Sequence, residues 1–311
     1  MIACNQVNKS QINSAQADNN QNLAQQISAA AEQLQHHGFS RYYNAMVGTY
    51  VSGVYKTLPY ATFAQVTNRA QKPLSSIEQA VTYTTLYGKS HFDRFSNVIG
   101  QIMGRNTRTE AVTKTINIVD YGCGQAIASL ALLSYLETYV NCQNFTLNFY
   151  LIEPSRTTLD VAVLLVTKMS SRIAANVIIH QYNKNLENFL KQDSEALAPA
   201  DYSMHLFSNV LDIAEVQQQI PTLCNYLHAI DGKQMVIAVG PRYSSNYQGL
   251  QQLKQSLNNV VVKQDVTNFS VQSEIYSIRN NHWIHCTSYG VMIGLCFENI
   301  HADKGNIQLA A

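Results

Sequence analysis

Asp120, Gly122 and Gly124 stand in the stretch VDYGCGQA, at the end of the apolar run 116–120. Two glycines one residue apart let the backbone take left-handed angles and let a ligand approach closely. A second acid, Glu153, closes the next apolar run, LNFYLIE. A carboxylate offers two oxygens rich in lone pairs, which suits it to accept from two neighbouring hydroxyls. A glycine turn between a strand and a helix has two common phosphate-binding forms, and neither fits here. The phosphate loop needs GxxxxGK[ST]; the chain's only GKS is Gly88–Lys89–Ser90, where Tyr83 occupies the first glycine position and a helix precedes it. The dinucleotide fingerprint GxGxxG would place its third glycine at Ile127, and a β-branched residue there crowds the strand against the helix.

Other chemistry-bearing residues lie at element ends. Ser208, Asn209 and Asp212 follow the apolar run 202–207, and Asn183 follows 176–181. Tyr83, Tyr87, His91 and Phe95 recur every four residues. This stripe reads first as core packing, with Tyr87 and His91 as a candidate acid–base pair. Arg242, in VGPRY after 234–239, is a candidate for an acceptor's phosphate or carboxylate as much as a solvated loop arginine. His282, His285 and Cys286 fall within five residues of a strand-like segment and so point to different faces; no metal site is expected.

Apolar runs at 116–120, 146–152, 176–181, 202–207 and 234–239 alternate with helical patterns at 126–141, 156–172, 185–192, 214–229 and 247–257. That alternation predicts a doubly wound α/β fold with a mostly parallel sheet. Strand-like segments near 260–267, 272–279 and 289–298 have no long helix between the last two, so the seven-stranded sheet should end in an antiparallel hairpin. The first ~110 residues read as helical, with Pro73 and a Ser75–Glu78 capping box opening the last of these helices.

With that order in view, VDYGCGQA resembles motif I, (D/E)xGxGxG, of the class I S-adenosylmethionine-dependent methyltransferases. Asp120, Gly122 and Gly124 match in place. Ala126 stands where the third glycine usually sits, at little cost if it is already helical. The resemblance covers about 115–299. It implies S-adenosyl-L-methionine (SAM) as cofactor, held by Asp120, Gly122, Cys123, Gly124 and Gln125, with Glu153 on the ribose hydroxyls. Asn183 stands near the family's usual adenine-binding Asp, and Ser208 and Asn209 lie beside the transferring methyl. It also implies Asn209, Asp212, Tyr87 and His91 as catalytic candidates, and preceding helices that lid the site. The proline motif [DNS]PP[YF] of base and glutamine amino-methyltransferases is replaced here by SNVL, which argues against that type of acceptor.

Composition bounds the rest. The 311 residues carry 13% charged side chains and a net charge of +1. Residues 1–114 hold ten Lys/Arg against five acids, whereas residues 115–311 hold eleven against fifteen. The basic first third, with tyrosines among its charges, points to an anionic acceptor, with RNA or another nucleic acid as the first expectation. A small-molecule acceptor is the alternative, and so is a catalytically inactive binding or scaffold subunit. The expected division is a disordered Asn/Gln-rich tail at 1–21, a helical lid and acceptor-recognition domain at 22–113, and a SAM-binding domain at 114–311. Six scattered cysteines without a CxxC pair, no signal-like N-terminus and no long apolar run predict a reduced, cytoplasmic protein without a membrane span.

Overall fold

The computed structural model describes residues 4–104, 114–193, 197–257 and 260–299. Helices come first: α1 (Cys4–His37), α2 (Phe39–Thr49), a π-helical turn (Tyr50–Val54), α3 (Tyr55–Thr57), α4 (Tyr60–Val66), α5 (Ile77–Tyr83), a second π-helical turn (Thr84–Gly88) and α6 (Lys89–Met103). The segment expected to be a disordered tail is helical from Cys4. Residues 1–21 contain neither glycine nor proline, so nothing in them stops a helix. The cap of α5 also differs from expectation by one residue. Ser76, not Ser75, accepts from the Gln79 amide at 3.2 Å, and Gln79 Oε1 accepts in return from the Ser75 amide at 2.8 Å.

Strands and helices then alternate: β1 (Lys114–Tyr121), α7 (Ile127–Tyr139), β2 (Phe145–Ile152), α8 (Arg156–Ser170), β3 (Asn176–Tyr182), α9 (Leu186–Gln192), β4 (Tyr202–Ser208), α10 (Ala214–Ala229), β5 (Gly232–Pro241), α11 (Ser244–Ser256), β6 (Val261–Ser277) and β7 (His282–Asn299). The sheet order is β3-β2-β1-β4-β5-β7-β6, with β7 alone running against the rest. The closing hairpin is therefore present. Its two expected short strands at 260–267 and 272–279 are one long strand, β6, broken only by irregular register near Gln264.

Alternation along each strand splits the core in two. Ile118, Leu147, Phe149, Leu151 and Leu206 face one layer, together with the apolar faces of α1, α7 and α8. Val119, Tyr150, Ile152, Phe207 and Val236 face the other, with α9, α10 and α11. Helix α7 is buried on nearly every side, as its almost wholly apolar sequence requires. The outer part of the β6–β7 hairpin packs on the N-terminal helices: Trp283 meets the Tyr43 ring edge-on at 5.7 Å, and the Tyr276 amide donates to Tyr43 Oη at 3.1 Å.

Strand register positions the site. Tyr121 lies beside Ile152 of β2 and Phe207 of β4, and Ile152 lies beside Tyr182 of β3. Gly122, Glu153 and Asn183 follow the last residues of their strands, at the level of Ser208, which ends β4. The order reverses between β1 and β4, where an open α/β sheet leaves a crevice at its carboxyl edge.

Candidate active site

The turn after β1 holds three left-handed residues, Gly122 (φ 61°), Gly124 (φ 53°) and Ala126 (φ 59°). A Cβ on Gly122 would meet Val210 Cγ1 at 2.8 Å, so the absence of a side chain lets β1 and the turn after β4 approach. A Cβ on Gly124 would meet nothing within 4 Å. Ala126 is not yet helical: it is the N-cap of α7 in a left-handed conformation, which costs a non-glycine residue about 1 kcal/mol.

Asp120 is buried beneath this turn. Its Oδ2 accepts from Ser129 Oγ at 2.7 Å and the Ser129 amide at 3.3 Å, while Oδ1 has no partner. Burial pushes its carboxyl up to about 7. The Cys123 amide donates to Ile152 O at 3.0 Å, and burial holds its thiol well above the usual range. The Gln125 side chain reaches into the helical cap: Nε2 donates to Ala80 O at 2.8 Å and Oε1 accepts from Thr84 Oγ1 at 2.7 Å. Cys123 and Gln125 are thus tied to protein partners at these groups.

Glu153 points into the turn. Its Oε2 accepts from the Gly124 amide at 3.0 Å, and its Oε1 accepts from the Ser155 amide at 2.9 Å and Thr158 Oγ1 at 3.4 Å. Burial raises its carboxyl above the ordinary range despite these bonds. Three of about four lone-pair sites are taken, leaving Oε2 with one to offer. Above it lies a cavity of 420 Å³, within the range of small-molecule sites. Gly122, Gly124, Glu153, Ser208, Asn209 and Tyr83 are among its walls. Asn183 is not; its amide donates to Glu153 O and Pro154 O and so ties the second turn to the third. Lys184 and Asn185 line the cavity in its place.

Two wall features are absent from the candidate site residues read from the sequence. Residues 70–74 close one side, and Asn68, Arg69 and Ala70 take three successive left-handed conformations without a glycine. Their turn is held by Thr67, whose Oγ1 accepts from the Ala70 amide at 3.0 Å. The other is Tyr83, the member of the tyrosine stripe that reaches the cavity. Tyr87, His91 and Asp212 are not among the residues that line the cavity. Tyr83 Oη lies 3.1 Å from His91 Nδ1, and Tyr87 stacks on the His91 ring. Asn209 is left-handed (φ 57°); its Oδ1 accepts from Arg94 Nη2 at 3.1 Å and its Nδ2 donates to Ser208 Oγ at 2.9 Å. Arg94 is buried with no acid in ion-pair contact among the described residues, and burial lowers its guanidinium to about 10. Arg242 is exposed and does not line the cavity. Among the described residues, no group of three or more His, Cys, Asp or Glu side chains could hold a metal ion. No described helix is long and apolar enough to cross a membrane.

No protein-family model and no curated protein matches the sequence. Solved structures do match. A structure assigned as a class I S-adenosylmethionine-dependent methyltransferase, from Listeria monocytogenes, shares 10% identity, covers 91% of this chain and 89% of its own, and gives a TM-score of 0.38. The precorrin 8w decarboxylase of Methanobacterium thermoautotrophicum shares 12%, covers 64% and 87%, and scores 0.37. A SAM-dependent methyltransferase of Agrobacterium tumefaciens shares 8%, covers 68% and 61%, and scores 0.35. At such scores the assignment rests on the chain's own topology. Five parallel strands in the order 3-2-1-4-5, followed by a reversed β7 inserted beside β6, make the fold Rossmann-like, of the class I methyltransferase type.

Proposed function

We propose that the chain is a SAM-dependent methyltransferase. The observation that carries this is the Gly124 amide donating to Glu153 Oε2 at 3.0 Å at the wall of a 420 Å³ cavity on the topological switch point. The residues present fit the cofactor: Gly124 opens into free space, and Glu153 keeps a lone pair for a sugar hydroxyl. SAM would supply a methyl group already activated on a sulfonium. The chain's own residues then need only hold, align and screen it from water. Gly122 and Gly124 leave room for it, Glu153 grips the ribose, and residues 70–74 with Tyr83 close the sides.

Nucleic acid is the first acceptor. Lys56, Arg69 and Lys72 are exposed on the helical region, with Tyr55 and Tyr60 among them and Tyr243 exposed after β5. Tyr87 joins this surface to the cavity wall: its side chain pairs with that of Tyr60, and its ring meets that of Tyr83 edge-on at 5.5 Å. Cations interleaved with rings suit phosphates and stacked bases. A small acceptor is the second reading, favoured by the closing segment at 70–74, which narrows the entry.

Calorimetry with SAM tests the cofactor. Glu153→Ala should weaken binding by about 10- to 100-fold while the chain stays folded; unchanged affinity would remove the ribose contact. Label from tritiated SAM should enter an RNA pool, with RNA affinity falling steeply with salt. A flat salt response with label in a metabolite pool would select the small acceptor. SAM binding with no pool labelled would leave a scaffold subunit.

A further inference from the structure

The Tyr83–His91 pair has a role that cofactor binding alone does not use. Tyr83 lines the cavity and its hydroxyl lies 3.1 Å from His91 Nδ1. Tyr87 stacks on the imidazole, with centroids 5.8 Å apart and planes 13° apart, and fixes the ring. Burial and the nearby Arg94 guanidinium hold His91 well below its usual range, so the imidazole is neutral, with one nitrogen protonated and one bearing a lone pair. Burial likewise keeps the Tyr83 phenol protonated. A phenol is the stronger donor of the two and an imidazole nitrogen the stronger acceptor. The bond therefore runs from Tyr83 O–H to Nδ1, and His91 carries its proton on Nε2. Tyr83 has one proton, and His91 takes it. What Oη retains is lone-pair density.

The geometry points to Tyr83 as the contact for the methyl acceptor: its Oη accepts a hydrogen bond from an N–H or O–H group of the substrate, while His91, as a positioning residue, keeps Tyr83's own proton turned away. This rests on the methyltransferase reading and narrows it. The acceptor is a neutral amine, ring or amide N–H, or hydroxyl. A carboxylate brings no donor to this oxygen. Arg94 does not change that: it is not among the residues that line the cavity, and its Nε, Nη1 and Nη2 each already donate, to Ser90 O, Tyr289 O and Asn209 Oδ1.

The tautomer is read by two-bond proton–nitrogen NMR on protein labelled with ¹⁵N-histidine, with the His91 signals assigned by their loss in His91→Asn. The free protein suffices. The expected result is an unprotonated Nδ1 from about pH 6 to pH 8. A proton on Nδ1, or an imidazolium at neutral pH, overturns the inference. Methyl transfer from tritiated SAM gives the second readout. Tyr83→Phe should lower the rate by about 100-fold while the Kd for S-adenosylhomocysteine stays within about threefold. His91→Leu should fall with it. His91→Asn, whose Oδ1 replaces Nδ1 as acceptor, should keep most of the rate. A Tyr83→Phe variant as fast as wild type overturns the inference. So does label released from the product by alkali as volatile methanol, the mark of a methyl ester and hence of a carboxylate acceptor. A wild-type chain that binds neither SAM nor S-adenosylhomocysteine defeats the methyltransferase reading instead, a result distinct from intact binding with Tyr83→Phe unimpaired.

Discussion

At the scale of single residues, the two motif glycines do different work. Gly122 is left-handed and packed against Val210, a stiff β-branched side chain. Gly122→Ala meets both strain and a 2.8 Å contact, and should cost about 2–4 kcal/mol of stability in chemical denaturation. Gly124 is left-handed but faces open space. Gly124→Ala should cost only about 1 kcal/mol. Its methyl enters the cavity wall, however, so SAM affinity should fall by about tenfold or more. The variants separate packing from binding: one loses mainly stability, the other mainly ligand. Gly124→Ala with undiminished SAM affinity would place the cofactor elsewhere. The sequence made the glycines legible, but not this division of labour, since Val210 comes from a turn 88 residues further along the chain.

Between elements, the helical cap and the cofactor turn are joined by a buried amide. Gln125 leaves the turn and bonds Ala80 in the middle of α5 and Thr84 in the π-helical turn. Gln125→Ala removes the acceptor shared by the buried Thr84 and Tyr42 hydroxyls and opens a void, so denaturation should show a loss of about 2–4 kcal/mol. A loss below about 1 kcal/mol would mean that the cap and turn are not coupled through this residue. The alternation of strands and helices was readable because period and punctuation are local in sequence. The acceptor side was not. Eight residues of straight α-helix rise about 12 Å, yet the Tyr83 and His91 rings lie 5.8 Å apart across the π-helical turn. A four-residue stripe reports a helical face and cannot report that irregularity. Arg94 and Asn209 meet across more than a hundred residues of chain, which no local pattern encodes. The left-handed run Asn68–Ala70 has no glycine to announce it.

Across the whole molecule, buried titratable groups set opposing pH dependences of stability. Asp120, raised to about 7, keeps its proton in the fold long after an unfolded chain has lost it near 3.8. Its contribution is full at acid pH and declines as pH rises from about 4 to about 7. Glu153 is shifted in the same direction. His205, lowered to about 4, and His91, lower than its usual value, act the other way: their contribution is lost as pH falls below 6.5. The stability curve of the wild-type protein therefore mixes the two, and the difference between wild type and Asp120→Asn isolates one. Asparagine can keep the bonds from Ser129 through its oxygen, and it cannot ionise. Between pH 5 and about pH 7 the folded wild type holds a proton that its unfolded chain has released. Each pH step of one across that window costs the wild type about 1.4 kcal/mol, so the variant should gain about 2–3 kcal/mol relative to it between pH 5 and pH 8. Urea denaturation of both proteins at the two pH values reads this directly. An offset that stays constant with pH would mean that Asp120 ionises normally beneath the glycine turn, and that the unpaired Oδ1 is solvated in the folded protein.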